Sequence, residues 1–410
     1  MFSPTLFNSY FLGGFECSTH RRRDGRRLDL LASTQHDRLV VEDYRQLAEH
    51  GIRTVRDGLR WYRIETSPGR YDWSSFLPML RAARVNGVQV IWDLCHYGWP
   101  DDIDIWKPEF IDRFARFAEA AARVIRDETD AVPFYCPVNE ISYWSWAGGE
   151  VGLFHPVGQK RGTELKKQLI RASIAAIEAV RAVDPRARTI NSEPLINVVA
   201  APDLPRDRQE AEAFRVAQFQ ALDTLAGWWW PELGGKPEYL DIVGVNHYSD
   251  NQWILGGQTA DPEKPWKTGH QTIEPGHHLY RPFREILVEL YGRYGRPILI
   301  AETGAERDAQ ADWLRYIAGE VRAAAVTGVP VEGICLYPIL HYPGWEDDRH
   351  CECGLLGVVG DQDRRSVDQA LAGEVRFQRM IFANLFGKDE RRAGVESRVA
   401  SAPRLVGRAG

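Results

Sequence analysis

The sequence predicts an α/β fold, a single (β/α)8 TIM barrel, and three observations lead there. Short apolar runs alternate with amphipathic stretches eight times along the chain, with no other pattern between them. The apolar runs tend to end on polar or charged side chains, as in Phe134-Tyr135-Cys136-Pro137-Val138-Asn139-Glu140 and Pro297-Ile298-Leu299-Ile300-Ala301-Glu302. Such endings suit strand tips that open onto a rim, since these groups stay inside only with a partner. The length of 410 residues is long for one average domain but common for a barrel with insertions. An open doubly wound sheet is the competitor. It is set aside because no G-x-G-x-x-G turn follows the first apolar run, and eight units suit closure. The barrel is assigned to residues 1–388. Residues 389–410 are assigned to a flexible C-terminal tail, because Arg391 to Gly410 mix Arg, Gly, Ser and Pro without periodicity.

The elements follow in order. Tyr10 to Cys17 is the first strand, with Glu16 near its end. Asp37 is placed to cap a helix in which Val40, Val41, Tyr44, Leu47 and Ala48 share a face and which Gly51 ends. Ile52 to Leu59 is the second strand, and the Pro68-Gly69 turn leads to a helix through Phe76, Leu80 and Ala83 that stops at Asn86-Gly87. Val88 to His96 is the third strand. Phe110, Ile111, Phe114, Phe117, Ala118, Ala121, Val124 and Ile125 recur at three- and four-residue steps and define the clearest helix of the chain. The fourth strand ends on Asn139-Glu140, and its helix carries Leu165, Leu169, Ala172, Ala176, Ile177, Val180 and Val183 on one side. Arg188 to Pro194 is strand five, followed by a helix from Ala211 to Trp229. Asp241 to Tyr248 is strand six, with a helix marked by Phe283, Ile286, Leu287, Leu290 and Tyr291. Strand seven ends at Glu302, its helix carries Trp313, Leu314, Ile317 and Val321, and strand eight runs from Val331 to Ile339 before a closing helix near Val367 to Leu385.

Composition excludes several classes of function. Apolar residues make up 44% and charged residues 26%, an ordinary soluble balance that allows a full-sized core. A formal charge of -6 gives no reason to expect nucleic acid as a partner. The runs Arg21-Arg22-Arg23 and Arg26-Arg27 read as a solvated loop. There is no apolar stretch of about 18 residues and no charged leader before an apolar block, so no membrane partner is expected and the location is read as cytoplasmic. The six cysteines are too dispersed for a secreted disulfide scaffold and read as buried thiols, and Cys351-Glu352-Cys353 is a weak zinc signal.

In such a barrel the active site lies at the C-terminal ends of the strands. Reading those ends gives Glu16, Arg56, His96, Asn139 with Glu140, Glu193, Asn246 with Tyr248, Glu302, and Tyr337 with His341. The carboxylates are the informative part. Cleaving a glycosidic bond needs one carboxyl to protonate the leaving oxygen and another to attack the anomeric carbon or activate water. Glu140 and Glu302, on strands four and seven, flank a space for a sugar ring. Arg and Tyr are the side chains that keep a nucleophilic Glu charged and aimed. Glu193 also admits a structural role, paired with Arg188 or another strand-end Arg. The histidines lack metal-ligand spacing, and Trp228-Trp229-Trp230 reads as packing at a helix end.

From about Phe11 to Gly360 the chain resembles glycoside hydrolase family 1, the β-glucosidase type of retaining barrel hydrolase. Pro137-Val138-Asn139-Glu140-Ile141 resembles T-x-N-E-P around the family's acid/base, and Ile300-Ala301-Glu302-Thr303-Gly304 resembles I/V-T-E-N-G around its nucleophile. Val55 to Ile64 is similar to Y-R-F-S-I-S-W-S-R-I, His96-Tyr97-Gly98-Trp99-Pro100 to H-W-D-L-P, and Gly244 to Tyr248 to G-x-N-Y-Y. The resemblance implies Glu140 as acid/base, Glu302 as nucleophile, and Arg56 and Tyr248 as the groups that hold Glu302. It implies contacts to the sugar 2-hydroxyl from Asn139 and to another ring hydroxyl from His96. Asn246 and Trp345 complete the expected substrate contacts with Glu16, Tyr337 and His341.

The departures are as informative. Pro137 and Ile141 stand for the Thr and Pro of the first motif and Thr303 for the Asn of the second. Tyr337, His341 and Gly344 stand where the family has a Trp, an Asp and a sugar-clasping Glu, and Glu16 stands for a sugar-binding Gln. The machinery is kept while the clasp on the glycone is altered. The expected function is therefore a retaining β-glycosidase, with weak activity on plain aryl β-glucoside relative to a modified or extended β-glycoside. The acidic Glu346-Asp347-Asp348 argues against a phosphorylated sugar, and Glu346 is a candidate replacement clasp beside Glu16. The alternatives are a silent sugar-binding barrel, transfer to an acceptor other than water, and metal-dependent hydrolysis on the same fold. No cofactor and no metal are expected, and the partner is a glycoside.

Overall fold

Eight apolar runs become the eight strands of one closed parallel barrel in the computed structural model, which describes residues 4–201, 207–256, 271–345 and 347–386. The strands are β1 (Phe11–Gly14), β2 (Thr54–Gly58), β3 (Gln89–Asp93), β4 (Phe134–Cys136), β5 (Arg188–Pro194), β6 (Ile242–Asn246), β7 (Ile298–Thr303) and β8 (Val331–Leu336). Each pairs with its sequence neighbours, and β8 closes on β1 with Phe11 opposite Ile334. Among the described residues the α-helices longer than one turn are α1 (His36–Glu49), α2 (Leu77–Asn86), α3 (Pro108–Glu128), α4 (Gly162–Val183), α5 (Arg208–Ala217), α6 (Gln220–Leu225), α7 (Phe283–Tyr294) and α8 (Ala309–Val326), with α9 (Gln369–Phe386) last. The expected tail from 389 lies outside the described residues.

Two cores form, as a barrel requires. The larger lies between sheet and helices and takes the stripe of α3, in which Phe114, Phe117, Ala118 and Ala121 are fully buried. The smaller fills the barrel with Leu12, Ile91, Phe134, Ile190, Ile242, Leu299, Ala301, Cys335 and Tyr337. β2 contributes nothing apolar to that interior. Its Val55 belongs to the outer core, so alternation turns Thr54 and Arg56 inward.

Several local expectations are corrected. α1 begins at His36 with Gln35 in the left-handed region, so Asp37 sits in the first turn and accepts from Arg60 Nη1 at 2.8 Å. The helix expected over Ala211 to Trp229 is two helices, α5 and α6, ended at Gly227 with φ +83, and Trp228 and Trp229 lie exposed beyond it. Asn197–Ala200, Gln252–Leu255 and Gln271–Thr272 form a small sheet outside the barrel that periodicity did not reveal. The arginine run is solvated only in part: Arg23 and Arg26 are exposed, while Arg21 and Arg27 both bind Asp101, Arg27 Nη1 donates to Thr19 O at 2.5 Å, and Arg22 bridges to Phe154. All six cysteines are free and buried. No helix among the described residues is long and apolar enough to cross a membrane.

Candidate active site

Arg56 is the hub of the barrel mouth. Buried to 1% exposure, it donates from Nε and Nη2 to the two oxygens of Asp93 at 2.8 and 2.7 Å. Nη1 donates to Glu302 Oε1 at 2.7 Å, and Nη2 donates also to Asn139 Oδ1 at 2.7 Å. Such a group stays buried only with its charge matched and its donors used, and Asp93 and Glu302 provide both conditions. Asp93 in turn accepts from His96 Nδ1 at 2.8 Å. Burial pushes His96 down, but the Asp93 bond and the Glu16 and Asp93 charges outweigh it and raise its pKa.

Glu302 reaches this position through a bulge. Ile298 and Ile300 face the outer core and Leu299 and Ala301 the inner one, so strict alternation would turn Glu302 outward. The register of β7 slips between Ile300 and Glu302 against β6, and between Ile300 and Thr303 against β8. A bulge of this kind re-aims one side chain, and Glu302 is turned to the mouth. There Tyr248 Oη donates to its Oε2 at 2.9 Å. Thr303 holds the strand end by donating from Oγ1 to His247 O at 2.7 Å and accepting from Trp313 Nε1 at 2.9 Å.

Glu140 gets there by another route. β4 ends at Cys136, and consecutive residues of an extended chain face opposite ways. Asn139 and Glu140 both serve the mouth because Glu140 adopts φ +45, with its N–H donating to Ser192 O at 2.9 Å. Asn246 Nδ2 donates to Glu140 Oε1 at 2.9 Å, and Tyr97 Oη donates to Oε2. Burial, first, raises both carboxyls above their ordinary range; the Glu193 charge adds to the rise of Glu140 and the Glu140 charge to that of Glu302, but only Glu302 is bonded to a guanidinium.

The remaining strand-tip residues divide into two groups. Glu16 is buried, accepts at Oε1 from Ser18 N at 3.0 Å and from Ser18 Oγ, and lies 3.7 Å from His96 Nε2. Burial is the main reason its pKa is raised. Tyr337 lies 6.1 Å from His96, rings parallel, with the Arg56 guanidinium 5.5 Å from its ring centre. Trp345 joins an aromatic wall with His20, Tyr97, Tyr143 and Phe154. These three belong to the mouth. His341 is held apart from the Arg56 network: its Nδ1 accepts from Gly354 N at 3.0 Å and its ring lies against His350. A Cβ on Gly344 would meet Asp347 Oδ1 at 2.9 Å, so that position is closed by its own loop. Glu346 lies outside the described residues.

Glu193 does not pair with Arg188, which binds Asp241 at 2.7 and 2.9 Å. It is buried, accepts from Ser142 N at 3.0 Å, and burial pushes its pKa up to about 7 against the pull of that bond and of Lys166. Strand-tip reading missed Asp93 and Tyr97. The acid inside the apolar run Val90-Ile91-Trp92-Asp93-Leu94 was the available signal for the first, since a buried carboxylate demands a cation. Donor atoms of Cys17, Asp93 and His96 lie within 4.8 Å of one another. Both Asp93 oxygens are already bound to Arg56, whose charge opposes a cation there.

Solved structures share this architecture. An AHE enzyme from Alicyclobacillus herbarius superposes with a TM-score of 0.75 at 17% identity over 93% of this chain and 99% of that one. A family 1 β-glucosidase from Thermotoga maritima gives 0.72 at 16% identity over 91% and 98%, and its complex with glucoimidazole gives 0.72 at 15% over 92% and 98%. The chain has the fold of a family 1 β-glucosidase. At these identities the likeness is one of fold. No family model and no curated protein sequence matches the chain.

Proposed function

We propose that this chain is a retaining β-glycosidase of the family 1 kind, hydrolysing O-glycosidic bonds by double displacement. The supporting observation is that two buried carboxyls share the mouth with unequal partners: a guanidinium and a phenol on Glu302, a phenol and an amide on Glu140. The carboxyl beside the cation is the one kept charged, which suits a nucleophile. The one without a cation takes up the proton the pair retains, which suits the acid. Glu140 protonates the leaving oxygen while Glu302 attacks the anomeric carbon, and Glu140 then takes a proton from water as the glycosyl ester is hydrolysed.

Asn139, His96, Glu16 and Tyr337 line the sugar side of this reading. His341 is turned into its own loop and Gly344 offers no side chain, so the far end of the glycone loses the family's clasp. This supports a larger or modified β-glycoside over plain β-glucoside. A 2-deoxy-2-fluoro glycoside with a good leaving group tests the mechanism, because it should accumulate as an ester on the peptide containing Glu302. A panel of aryl glycosides supplies the glycone. Glu140→Gln should keep the first step for very good leaving groups and lose it for poor ones; equal loss for both removes the acid role.

A further inference from the structure

Two residues of the mouth stand in the left-handed region that side chains with a Cβ avoid, Tyr97 at φ +66 and Glu140 at φ +45. They are bonded to each other. The Tyr97 turn is fixed on both flanks: Thr19 N donates to His96 O at 3.4 Å, and a Cβ on Gly98 would lie 2.0 Å from Thr19 Oγ1. The ring is clamped edge-on by Trp144 at 5.7 Å and Trp345 at 5.4 Å. Strain held in place this firmly aims one atom, the phenol oxygen.

The direction of its hydrogen follows from the neighbours. Asn139 Oδ1 accepts from Arg56, so Asn139 Nδ2 is the group facing Tyr97 Oη, at 3.1 Å, and it donates there. The phenol receives from Asn139, and its own hydrogen goes to Glu140 Oε2. Donors therefore run in one sense from Arg56 through Asn139 and Tyr97 to Glu140. We propose that Tyr97 is a positioning residue for Glu140, aiming its carboxyl and stabilising its charged form, so that the proton passes more readily to the leaving group. This rests on the glycosidase reading given above.

In the step itself the anomeric C–O bond breaks and its electron pair passes to the glycosidic oxygen, which takes the Glu140 proton. The bond from Glu302 to the anomeric carbon forms, and Tyr97 keeps its own proton while donating to the new carboxylate. The other groups facing Glu140 are Asn246, which donates to Oε1, the carboxyls of Glu193 and Glu302, and His96. Burial is what raises the Glu140 pKa, and the Tyr97 bond is the largest influence opposing it.

The test is titration of Glu140 by carbon NMR of carboxyl-labelled glutamate, with its signal assigned by its absence in Glu140→Gln. Tyr97→Phe should move the titration up by about 1 to 2 pH units, the worth of a charge-assisted hydrogen bond. Site-specific 3-fluorotyrosine at position 97 keeps the ring and strengthens the donor, so it should move the titration down. A Tyr97→Phe titration within about 0.3 of a unit of the parent, or both substitutions moving it the same way, overturns the proposal. The readout needs no turnover, so absence of glycosidase activity would remove the function and leave the Tyr97 bond to be judged alone. In an active enzyme the basic limb of kcat/KM should rise with the NMR titration. A basic limb that stays put while the titration moves overturns the acid role of Glu140.

Discussion

The tips of β2, β3, β4 and β7 and the segment that follows β8 are built in opposite ways. On the first side Arg56, Asp93, His96, Asn139 and Glu302 form a buried network in which Arg56 alone makes bonds to Asp93, Asn139 and Glu302. On the second, Tyr337 Oη and Trp345 Nε1 are buried without a hydrogen-bond partner among the described residues, His341 faces its own loop, and Gly344 carries no side chain. The difference teaches where constraint is spent. The Arg56 network, which holds Glu302 and Asn139, is tied by several bonds at once, whereas the side after β8 keeps buried polar atoms with no partner among the described residues.

The largest effect should come from the bonded side. Glu302→Ala removes the group proposed to carry the covalent intermediate, and kcat should fall by about 10⁴-fold or more. Arg56 keeps Asp93 and Asn139 in that variant, so the unfolding midpoint should fall less than when Asp93 is removed. Near-normal turnover would end the nucleophile assignment. Next in size is Asp93→Ala, which strips Arg56 of both carboxylate oxygens and His96 of its anchor. Breaking a buried pair by removing one member costs about 3 to 5 kcal/mol. A loss under about 1 kcal/mol in urea unfolding would mean that water replaces the carboxylate and that the two sides differ less than their bonding suggests.

Much of this contrast was legible in the sequence, and the reasons for the exceptions are physical. The α3 stripe and the apolar runs gave all eight barrel strands, because burial on one face leaves a period that survives in the residue order. Arg56, Glu140 and Glu302 were found because charged groups at the ends of apolar runs need partners. The bulge that turns Glu302 inward was not legible, since alternation alone sends it outward, nor was the left-handed backbone of Tyr97 and Glu140. The small sheet of Asn197–Ala200, Gln252–Leu255 and Gln271–Thr272 was not legible because its strands lie in the segments after β5 and β6, outside the strand–helix alternation that marks the barrel. Whether His341 faces the mouth depends on a loop closed by Gly354, a contact between residues with no periodic relation.

A smaller effect is read by pH at the tip of β5, outside both sides. Burial raises Glu193 from 4.5 to about 7, so the folded state holds a proton that the unfolded chain releases between those values. The stability this proton contributes is fully present below the unfolded pKa and is lost as pH rises through the folded one, by at most about 3 kcal/mol. Glu193→Gln keeps an acceptor for Ser142 N and has nothing to titrate. It should flatten the fall in stability between about pH 4.5 and 7 and leave the protein more stable than the parent at pH 8. Denaturation curves at pH 5 and pH 8 measure this. An unchanged slope would assign the pH dependence to other carboxyls.

The smallest expected effect bears most directly on the unsatisfied side. Tyr337→Phe removes only a hydroxyl, which is buried and without a partner among the described residues, and leaves the ring beside His96 and Arg56 in place. Losing an unpaired buried polar group relieves its desolvation, so stability should rise by about 1 kcal/mol. If that hydroxyl is held in reserve for a sugar, KM should rise severalfold with kcat little changed, since a contact made equally in ground and transition states affects binding alone. The matched change on the bonded side is Tyr248→Phe, which removes the 2.9 Å bond to Glu302 and should lower kcat. Opposite signatures from two tyrosine-to-phenylalanine changes would mark one side as built for reaction and the other for recognition. A Tyr337→Phe protein that is less stable than its parent would show that the hydroxyl has a partner in solution, and the contrast between the two sides would then fail at its clearest point.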